Sequence, residues 1–247
     1  MLLQGKTAII TGCNRGIGKS ILDVFAENGC NVFAIVRSNT ESFENYVAEL
    51  ASKYKTEIHV IEADFSDESQ IKEAAKKVLS YKIPIDILVN NVGTDYNQAP
   101  FIMTKMETMH STFQVNYFSH IYLTQIISKS MMRNRQGSVV FISSAAAFDG
   151  GANVQYASSK AALVGGCKRL ALELGGYNIR VNCIAPGLTD TDLTKDLSDD
   201  DLRQAFLMTM LKRKGTPREI ANSVLFLGSD LSTFTTGQVI HVDGGIR

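Results

Sequence analysis

Near its N-terminus the chain reads Thr7-Ala8-Ile9-Ile10-Thr11-Gly12-Cys13-Asn14-Arg15-Gly16-Ile17-Gly18. The apolar, β-branched run at 7–10 predicts a strand, and the glycines that follow predict a tight turn. A helical apolar pattern over 17–28, ended by Gly29, predicts a helix after the turn. A strand, a glycine-rich turn and a helix in this order form the start of a βαβ unit, which builds parallel sheets.

The same alternation continues along the rest of the chain. Further strands are predicted at 31–36, 57–62, 86–90, 138–143, 179–184 and 238–242. Helices are predicted at 42–54, after Asp67, through Asn116 to about Arg133, at 154–174 and at 217–227, with a loop carrying short helices at 188–213. No break in composition separates two cores. Residues 1–247 are therefore predicted to form one α/β domain, a doubly wound parallel sheet of about seven strands with helices on both faces.

Composition excludes several classes of partner. The 25 Lys and Arg residues balance the 25 Asp and Glu residues, so no strong field attracts nucleic acid or an anionic membrane. No apolar run approaches the roughly 18 residues that span a bilayer, and residues 1–6 lack a signal-peptide pattern. A cytoplasmic protein without a nucleic-acid or membrane partner is predicted. The four cysteines form no close pair and the four histidines lack metal-ligand spacing, so no metal site is predicted.

The turn at 11–18 suits the phosphates of a dinucleotide. Glycines let backbone N–H groups approach a pyrophosphate, and the N-terminus of the following helix adds a partial positive charge. The spacing is G-x3-G-x-G, and a purely structural turn is the alternative. After the second strand, where an NAD-binding unit usually carries an acidic residue, stand Arg37 and Ser38. Together with Arg15, Arg37 favours a 2′-phosphate and hence NADP(H); two solvated surface arginines are the alternative.

A second pattern, Tyr156-Ala157-Ser158-Ser159-Lys160, lies on a predicted helix. Residues four apart share a helix face with Cβ atoms roughly 6 Å apart, so the ammonium of Lys160 can approach the phenol of Tyr156. A nearby positive charge favours the phenolate and lowers a pKa that starts near 10. The pair therefore predicts a tyrosine acid/base, although an ordinary helix pair is the alternative for this pattern taken alone.

Five motifs in this order resemble the short-chain dehydrogenase/reductase family over essentially the whole chain. They are T-G-x3-G-x-G at 11–18, N-N-x-G at 90–93, Ser143-Ser144, Y-x3-K at 156–160 and Pro186-Gly187. The resemblance implies a Rossmann-type domain and a homo-oligomer, a tetramer or dimer, often with the C-terminal segment 243–247 at a subunit contact. Val92 replaces the usual alanine of N-N-x-G.

The resemblance also implies roles for individual residues. Tyr156 is the expected general acid/base, Lys160 lowers its pKa and binds the nicotinamide ribose, Asn116 holds a water of the proton relay, and Ser144 is the catalytic serine. Counting back from Tyr156 lands instead on Ser143, and a deletion within 145–155 reconciles the two counts. The expected NADP(H)-binding residues are Gly12, Asn14, Arg15, Gly16, Ile17, Gly18, Arg37, Ser38, Asp64, Phe65, Asn91, Gly93, Tyr156, Lys160, Pro186, Gly187, Thr189 and Thr191.

Within those positions, Asp64 and Phe65 match the pair that contacts adenine in the family. Thr189 and Thr191 match positions near the nicotinamide carboxamide and the phosphates.

The sequence leaves more than one substrate class open. The closest overall resemblance is to 3-oxoacyl-[acyl-carrier-protein] reductases, which implies NADPH-dependent reduction of a 3-oxoacyl thioester and an acidic carrier protein as partner. Arg135 matches one basic position of these enzymes, but Tyr177 stands where a second arginine is expected. A dehydrogenase or reductase of a free small alcohol, sugar or cyclic ketone is one alternative. A non-catalytic NADP-binding sensor or scaffold is another.

Six apolar side chains within 188–213 are open to two interpretations. They can line an apolar substrate pocket, or they can anchor two short helices to the core, the interpretation that the pattern favours. These residues are Leu193, Leu197, Phe206, Leu207, Met208 and Met210.

Overall fold

The first strand is the centre of the architecture. The computed structural model describes residues 1–94, 100–192, 194–195 and 197–246. All five residues of β1 (Thr7–Thr11) are buried, as expected for a parallel strand whose two faces are covered. The other strands are β2 (Asn31–Val36), β3 (Ile58–Glu62), β4 (Ile87–Asn90), β5 (Gly137–Ile142), β6 (Ile179–Pro186) and β7 (Val239–Val242). These seven strands form one parallel sheet in the order β3-β2-β1-β4-β5-β6-β7, which confirms the predicted fold class.

Nine α-helices alternate with these strands in the described part of the chain. They are α1 (Gly16–Glu27), α2 (Glu41–Tyr54), α3 (Glu68–Ser80), α4 (Met106–Phe113), α5 (Ser119–Asn134), α6 (Ala146–Asp149), α7 (Val154–Leu174), α8 (Asp199–Met208) and α9 (Pro217–Gly228). The helix predicted through Asn116 is not regular. A π-helical turn, Gln114–Phe118, joins α4 to α5 and contains Asn116. Such turns add a residue to the helical ladder and are frequent at functional sites.

Successive strand residues point to opposite faces and build two cores. In β1, Ala8 and Ile10 pack with the apolar faces of α1, α2 and α9, whereas Ile9 faces α3, α5 and α7. Because each helix buries one apolar stripe, three helices close each face of the sheet. None of the described helices is both long and apolar enough to cross a membrane.

The strand order reverses beside β1, whose neighbours are β2 and β4. The connections after β1 and β4 therefore leave in opposite directions and open a crevice at the carboxyl edge of the sheet. Ligands of doubly wound folds bind in such crevices. The expected site segments that begin at residues 11, 37, 64, 91, 143 and 186 lie at the carboxyl ends of strands along this edge.

Gly18 supports the crevice because it allows α1 to pack closely on the turn before it. A Cβ atom on Gly18 would lie 2.1 Å from the carbonyl oxygen of Gly12 and 2.5 Å from Asn91 Nδ2. Backbone atoms cannot move aside as a flexible side chain can. Only glycine fits at this position.

We expect Gly18→Ala to lower the free energy of unfolding by about 3 kcal/mol or more, because the methyl group overlaps a fixed backbone carbonyl. Gly175→Ala is the matched control, since Gly175 has φ −58° and a Cβ there meets nothing within 4 Å. Denaturant unfolding of both variants measures the difference. Equal stability of the two would contradict this account of the turn.

Candidate active site

Hydrogen bonds from the end of β4 hold the glycine-rich turn in place. Thr11 Oγ1 accepts the backbone N–H of Asn91 at 2.9 Å and that of Val92 at 3.2 Å. The side chain of Asn91 donates from Nδ2 to the carbonyl oxygens of Thr11 and Gly12, at 2.9 and 3.1 Å. The amide of Asn91, expected at the cofactor, therefore positions the turn. Thr11 was not among the expected site residues, although it opens the glycine motif.

The N-terminus of α1 is suited to an anion. Arg15 precedes α1 without a side-chain cap, and the first turn contains no acidic residue. In contrast, a side chain caps the N-terminus of five other helices. The capping residues are Thr40 for α2, Asp67 for α3, Asn153 for α7, Ser198 for α8 and Thr216 for α9. The turn before α1 brings Gly12 and Gly16 to positive φ angles of 69° and 55°. Uncapped N–H groups beside glycine backbone fit the phosphates of a dinucleotide.

A cleft of about 540 Å³ lies between this helix N-terminus and the segment after β6. Thr191 covers the turn, because a Cβ on Gly16 would lie 3.5 Å from Thr191 Cγ2. The lining residues are Asn14, Arg15, Gly16, Lys19, Ser20, Asp23, Asp190, Thr191, Asp192, Lys195 and Pro217. Ile17, also expected at the cofactor, packs partly against the core. The cleft thus contains several of the expected cofactor residues.

Arg37 and Ser38 are exposed directly after β2, next to the end of β1. Asp64 follows β3, and its carboxylate accepts the N–H and O–H of Ser66 at 2.8 and 2.7 Å. These bonds, with a smaller contribution from the positive charge of Arg37, hold the pKa of Asp64 below its ordinary value. Phe65 is only 4% exposed and packs in the core, so little of its side chain is available to a ligand. Asp64 and the backbone of this pair are the more accessible groups.

The Tyr156 and Lys160 pair lies on the first two turns of α7, which Asn153 caps through a 2.9 Å bond from the N–H of Tyr156. Lys160 Nζ lies 5.8 Å from the centre of the Tyr156 ring and donates to the carbonyl oxygen of Ile142 at 2.9 Å. Lys160 is 3% exposed, and burial lowers the pKa of its ammonium to about 8. Gly93 passes close by, since a Cβ there would lie 3.2 Å from Nζ. The structure thus confirms that Tyr156 and Lys160 lie on the same face of a helix.

Asn116 is fully buried, and its side chain bonds to two elements of the site. Its Oδ1 accepts the N–H of Thr94 at 2.9 Å, and its Nδ2 donates to the Thr94 carbonyl and to Ser159 Oγ at 2.9 and 3.0 Å. Ser159 Oγ in turn donates to the carbonyl oxygen of Tyr156 at 2.8 Å. The π-helical turn therefore connects the segment after β4 to the tyrosine helix. Ser159, inside the Y-x3-K pattern, was not anticipated as part of this link.

The two serines after β5 have different environments. Ser143 is 2% exposed, and its Oγ donates to the backbone carbonyl of Lys160 at 2.8 Å. Ser144 is partly exposed, and its Oγ accepts the N–H of Ala146 at 3.2 Å. An oxygen that only accepts from the protein still has its own proton to donate. Ser143 therefore anchors the helix of Lys160, and Ser144 stays the candidate catalytic serine.

The segment after β6 packs against the C-terminal end of the chain. A Cβ on Gly187 would lie 2.6 Å from Asp243 Cα, so the Pro186-Gly187 pair permits a close backbone approach. Thr189 is 4% exposed and donates from Oγ1 to the carbonyl of Gly187 at 2.9 Å. Farther on, the N–H of Met210 bonds to the carbonyl oxygens of Gly244 and Gly245. Leu193 and Arg247 lie outside the described residues.

The interpretation of the apolar residues in 188–213 as core anchors is wrong for Leu207, Met208 and Met210. Leu207, Met208 and Met210 are 63%, 54% and 60% exposed, and α8 has no buried residue. Leu197 and Phe206 are only partly buried. Exposed apolar residues also follow β4, at Phe101–Met103. Apolar side chains therefore occur on both segments that leave the carboxyl edge beside the site.

Proteins of known sequence resemble this chain over its whole length. The family model described as Enoyl-(Acyl carrier protein) reductase matches residues 12–247. The 3-oxoacyl-[acyl-carrier-protein] reductase FabG of Aquifex aeolicus is 37% identical over 245 residues, which cover 99% of this chain and 98% of the relative.

Solved structures share the fold closely. A short-chain type dehydrogenase/reductase from Mycobacterium ulcerans has a TM-score of 0.93 at 30% identity, covering 99% of this chain and 90% of that one. A 7α-hydroxysteroid dehydrogenase complexed with NADH and 7-oxo glycochenodeoxycholic acid has a TM-score of 0.92 at 34% sequence identity. The match covers 99% of this chain and 95% of that one. The L-sorbose reductase from Gluconobacter frateurii, complexed with NADPH and L-sorbose, has a TM-score of 0.90 at 29% sequence identity. The match covers 100% of this chain and 98% of that one.

The buried ammonium of Lys160 predicts a pH-dependent stability. Its pKa is about 8 in the fold against 10.5 ordinarily, so between these values the unfolded chain binds more protons and stability rises with pH. The Lys160→Met variant has no ammonium to titrate at this position. Between pH 7 and 9.5 its free energy of unfolding should therefore fall by about 2 kcal/mol relative to that of wild type. Denaturant unfolding at both pH values measures this change. Lys129→Met, at an exposed α5 position, is the control, and a constant difference between Lys160→Met and wild type would contradict the prediction.

Proposed function

The chain belongs to the short-chain dehydrogenase/reductase family, and from this premise we propose that it reduces the keto group of a 3-oxoacyl thioester with NADPH. Membership makes it an NAD(P)-dependent oxidoreductase. The observation that carries the proposal is the arrangement at the ends of β5 and α7. There the buried ammonium of Lys160 lies beneath the ring of Tyr156, and Ser144 has a hydroxyl proton to donate.

These residues have distinct tasks in ketone reduction. NADPH supplies the hydride that reaches the carbonyl carbon. The hydroxyl groups of Ser144 and Tyr156 donate hydrogen bonds to the carbonyl oxygen, where negative charge develops. Tyr156 then gives its proton to that oxygen, and the ammonium of Lys160 stabilises the phenolate that remains. In the reverse direction the phenolate accepts the proton of an alcohol.

The remaining polar residues keep this group in place. Asn116 and Ser159 connect the segment after β4 to the carbonyl of Tyr156, and Ser143 holds the backbone of Lys160. The position of α7 relative to the ends of β4 and β5 thus depends on these hydrogen bonds. Preorganised donors of this kind need no rearrangement when charge develops.

The choice of NADPH rests on Arg15 and Arg37. The two arginines follow adjacent strands, and no carboxylate follows β2 before Glu41. A 2′-phosphate bonds well to guanidinium groups, whereas the free 2′-hydroxyl of NADH is usually recognised by a carboxylate. The L-sorbose reductase is complexed with NADPH and the 7α-hydroxysteroid dehydrogenase with NADH. The fold therefore accepts either cofactor, and the arginines favour NADPH.

The choice of a thioester rests on the relatives and on exposed apolar residues. Phe101–Met103 and the residues Leu207, Met208 and Met210 flank the carboxyl edge and suit an acyl chain. A free ketone is a second candidate because the expected basic pair for an acidic carrier protein is incomplete. Arg135 donates to the carbonyl of Gly176 at 3.0 Å, and its guanidinium lies 5.9 Å from the ring of Tyr177.

The decisive test measures NADPH oxidation with an acetoacetyl thioester beside a sugar ketone, a steroid ketone and a cyclic ketone. We expect the thioester to have a kcat/KM at least about tenfold above the others, because acetoacetyl is itself a 3-oxoacyl group, the kind for which the FabG relative is named. Tyr156→Phe should abolish turnover and still bind NADPH. A faster free ketone would establish the second candidate, and NADPH binding without turnover on any substrate would favour a sensor.

The two serines provide a second test. We expect Ser144→Ala to lower kcat by about 100-fold, because it removes a donor to the developing oxyanion. Ser143→Ala should keep kcat within about threefold and lower the free energy of unfolding by about 1–2 kcal/mol, because it removes the buried hydrogen bond that ties the end of β5 to α7. Steady-state kinetics and denaturant unfolding separate the two effects. A Ser143→Ala variant as inactive as Ser144→Ala would reverse the assignment.

A further inference from the structure

Arg15 lies between two positions where an anion can bind its guanidinium: the proposed place of the 2′-phosphate beside Arg37, and the carboxylate of Asp192. On one side is β2, followed by Arg37, where the proposed function puts the 2′-phosphate. On the other side, beyond β4 and β5, is the segment after β6 that carries Asp192. In the structure the guanidinium is turned toward Asp192, with Nη1 3.3 Å from Oδ2. It cannot stay there and also give all its donors to a phosphate near Arg37.

The ion pair between Arg15 and Asp192 is weak enough for another anion to replace Asp192. Among the described residues, one nitrogen of Arg15 contacts a carboxylate, at a distance near the long end of hydrogen bonding, and the side chains of Arg15 and Asp192 are 71% and 55% exposed. Exposed single-contact pairs contribute little to stability. A phosphate dianion that accepts two parallel N–H bonds from one guanidinium competes well against such a carboxylate.

We propose that Asp192 is a specificity-determining residue that competes with the cofactor's 2′-phosphate for Arg15. The inference rests on the proposed use of NADPH. Because Asp192 must release Arg15 before the phosphate is fully bound, it weakens binding of 2′-phosphorylated ligands and leaves ligands with a free 2′-hydroxyl unaffected. Asp192 therefore lowers the affinity for NADP(H) below the value that Arg15 and Arg37 would reach by themselves.

The chain contains a matched control two residues away. Asp190 lines the same cleft and is also in an exposed ion pair, with Lys214 at 3.5 Å. Replacing either aspartate by asparagine removes one negative charge from the cleft. Only the change at 192 releases Arg15, so the difference between the two variants isolates the competition from the general change in charge.

The experiment measures equilibrium binding by calorimetry, with no turnover involved. The ligands are adenosine 2′,5′-bisphosphate and adenosine 5′-monophosphate, which differ only in the 2′-phosphate. The proteins are wild type, Asp192→Asn, Asp190→Asn, Arg15→Gln and the double variant Arg15→Gln/Asp192→Asn. The double variant shows whether the effect of residue 192 passes through Arg15.

We expect Asp192→Asn to bind the bisphosphate about three- to fivefold more tightly than wild type, which is the range of an exposed ion pair. Its affinity for the monophosphate should be unchanged. Asp190→Asn should change bisphosphate binding by less than about twofold. In the Arg15→Gln background the change at 192 should have no larger effect than the change at 190 has in wild type.

Two results would overturn the inference, and they differ. If wild type prefers the bisphosphate and Asp192→Asn binds it no better than Asp190→Asn does, the competition is wrong while the NADPH proposal stands. If wild type binds both nucleotides equally, neither Arg15 nor Arg37 recognises a 2′-phosphate. In that case the NADPH proposal and the inference both fail.

Discussion

The hydrogen bonds between Thr11 and Asn91 are the contact on which the site depends. They join the carboxyl ends of β1 and β4, the two strands between which the sheet changes direction. One strand end is thereby fixed to the glycine turn and the other to the segment that passes Lys160 and Asn116. The hydroxyl of Thr11 and the amide of Asn91 bridge the glycine turn after β1 and the segment after β4. A dinucleotide that lies across this edge therefore contacts two segments whose relative position is fixed.

Burial of a positive charge is the second constraint. Lys160 is surrounded by the core of the sheet, and His120, which is also fully buried, has its pKa lowered to about 3 by burial and by the charge of Lys160. His120 therefore stays neutral while its Nε2 bonds to the carbonyl of Val92 at 2.7 Å. Among the described residues of the site, Lys160 is thus the buried cation below Tyr156, and a charged His120 would oppose it. Other charged side chains lie outside this buried region: Arg15, Arg37 and Asp192 are exposed, and Asp23 in the cleft is partly buried.

Several features were predictable from the sequence because they depend on neighbours along the chain. Apolar runs and glycine stops located the seven strands to within a residue or two, and the spacing of Tyr156 and Lys160 predicted a shared helix face that the structure has. The four cysteines form no close pair in the sequence, and all four are free and buried in the structure. Each of these inferences uses a period, a turn or a composition that short segments carry by themselves.

Other features depend on what packs against a residue, and the sequence alone does not contain that information. Whether Ser143 or Ser144 faces a ligand depends on which hydroxyl meets the carbonyl of Lys160, seventeen residues away in the chain. The burial of Phe65, the exposure of α8 and the π-helical turn at Asn116 likewise follow from contacts between distant elements. The sequence by itself determined the fold class and the chemistry available. The tertiary structure decided which of these groups meet, since a hydrogen bond needs both partners within about 3 Å and only packing sets that distance.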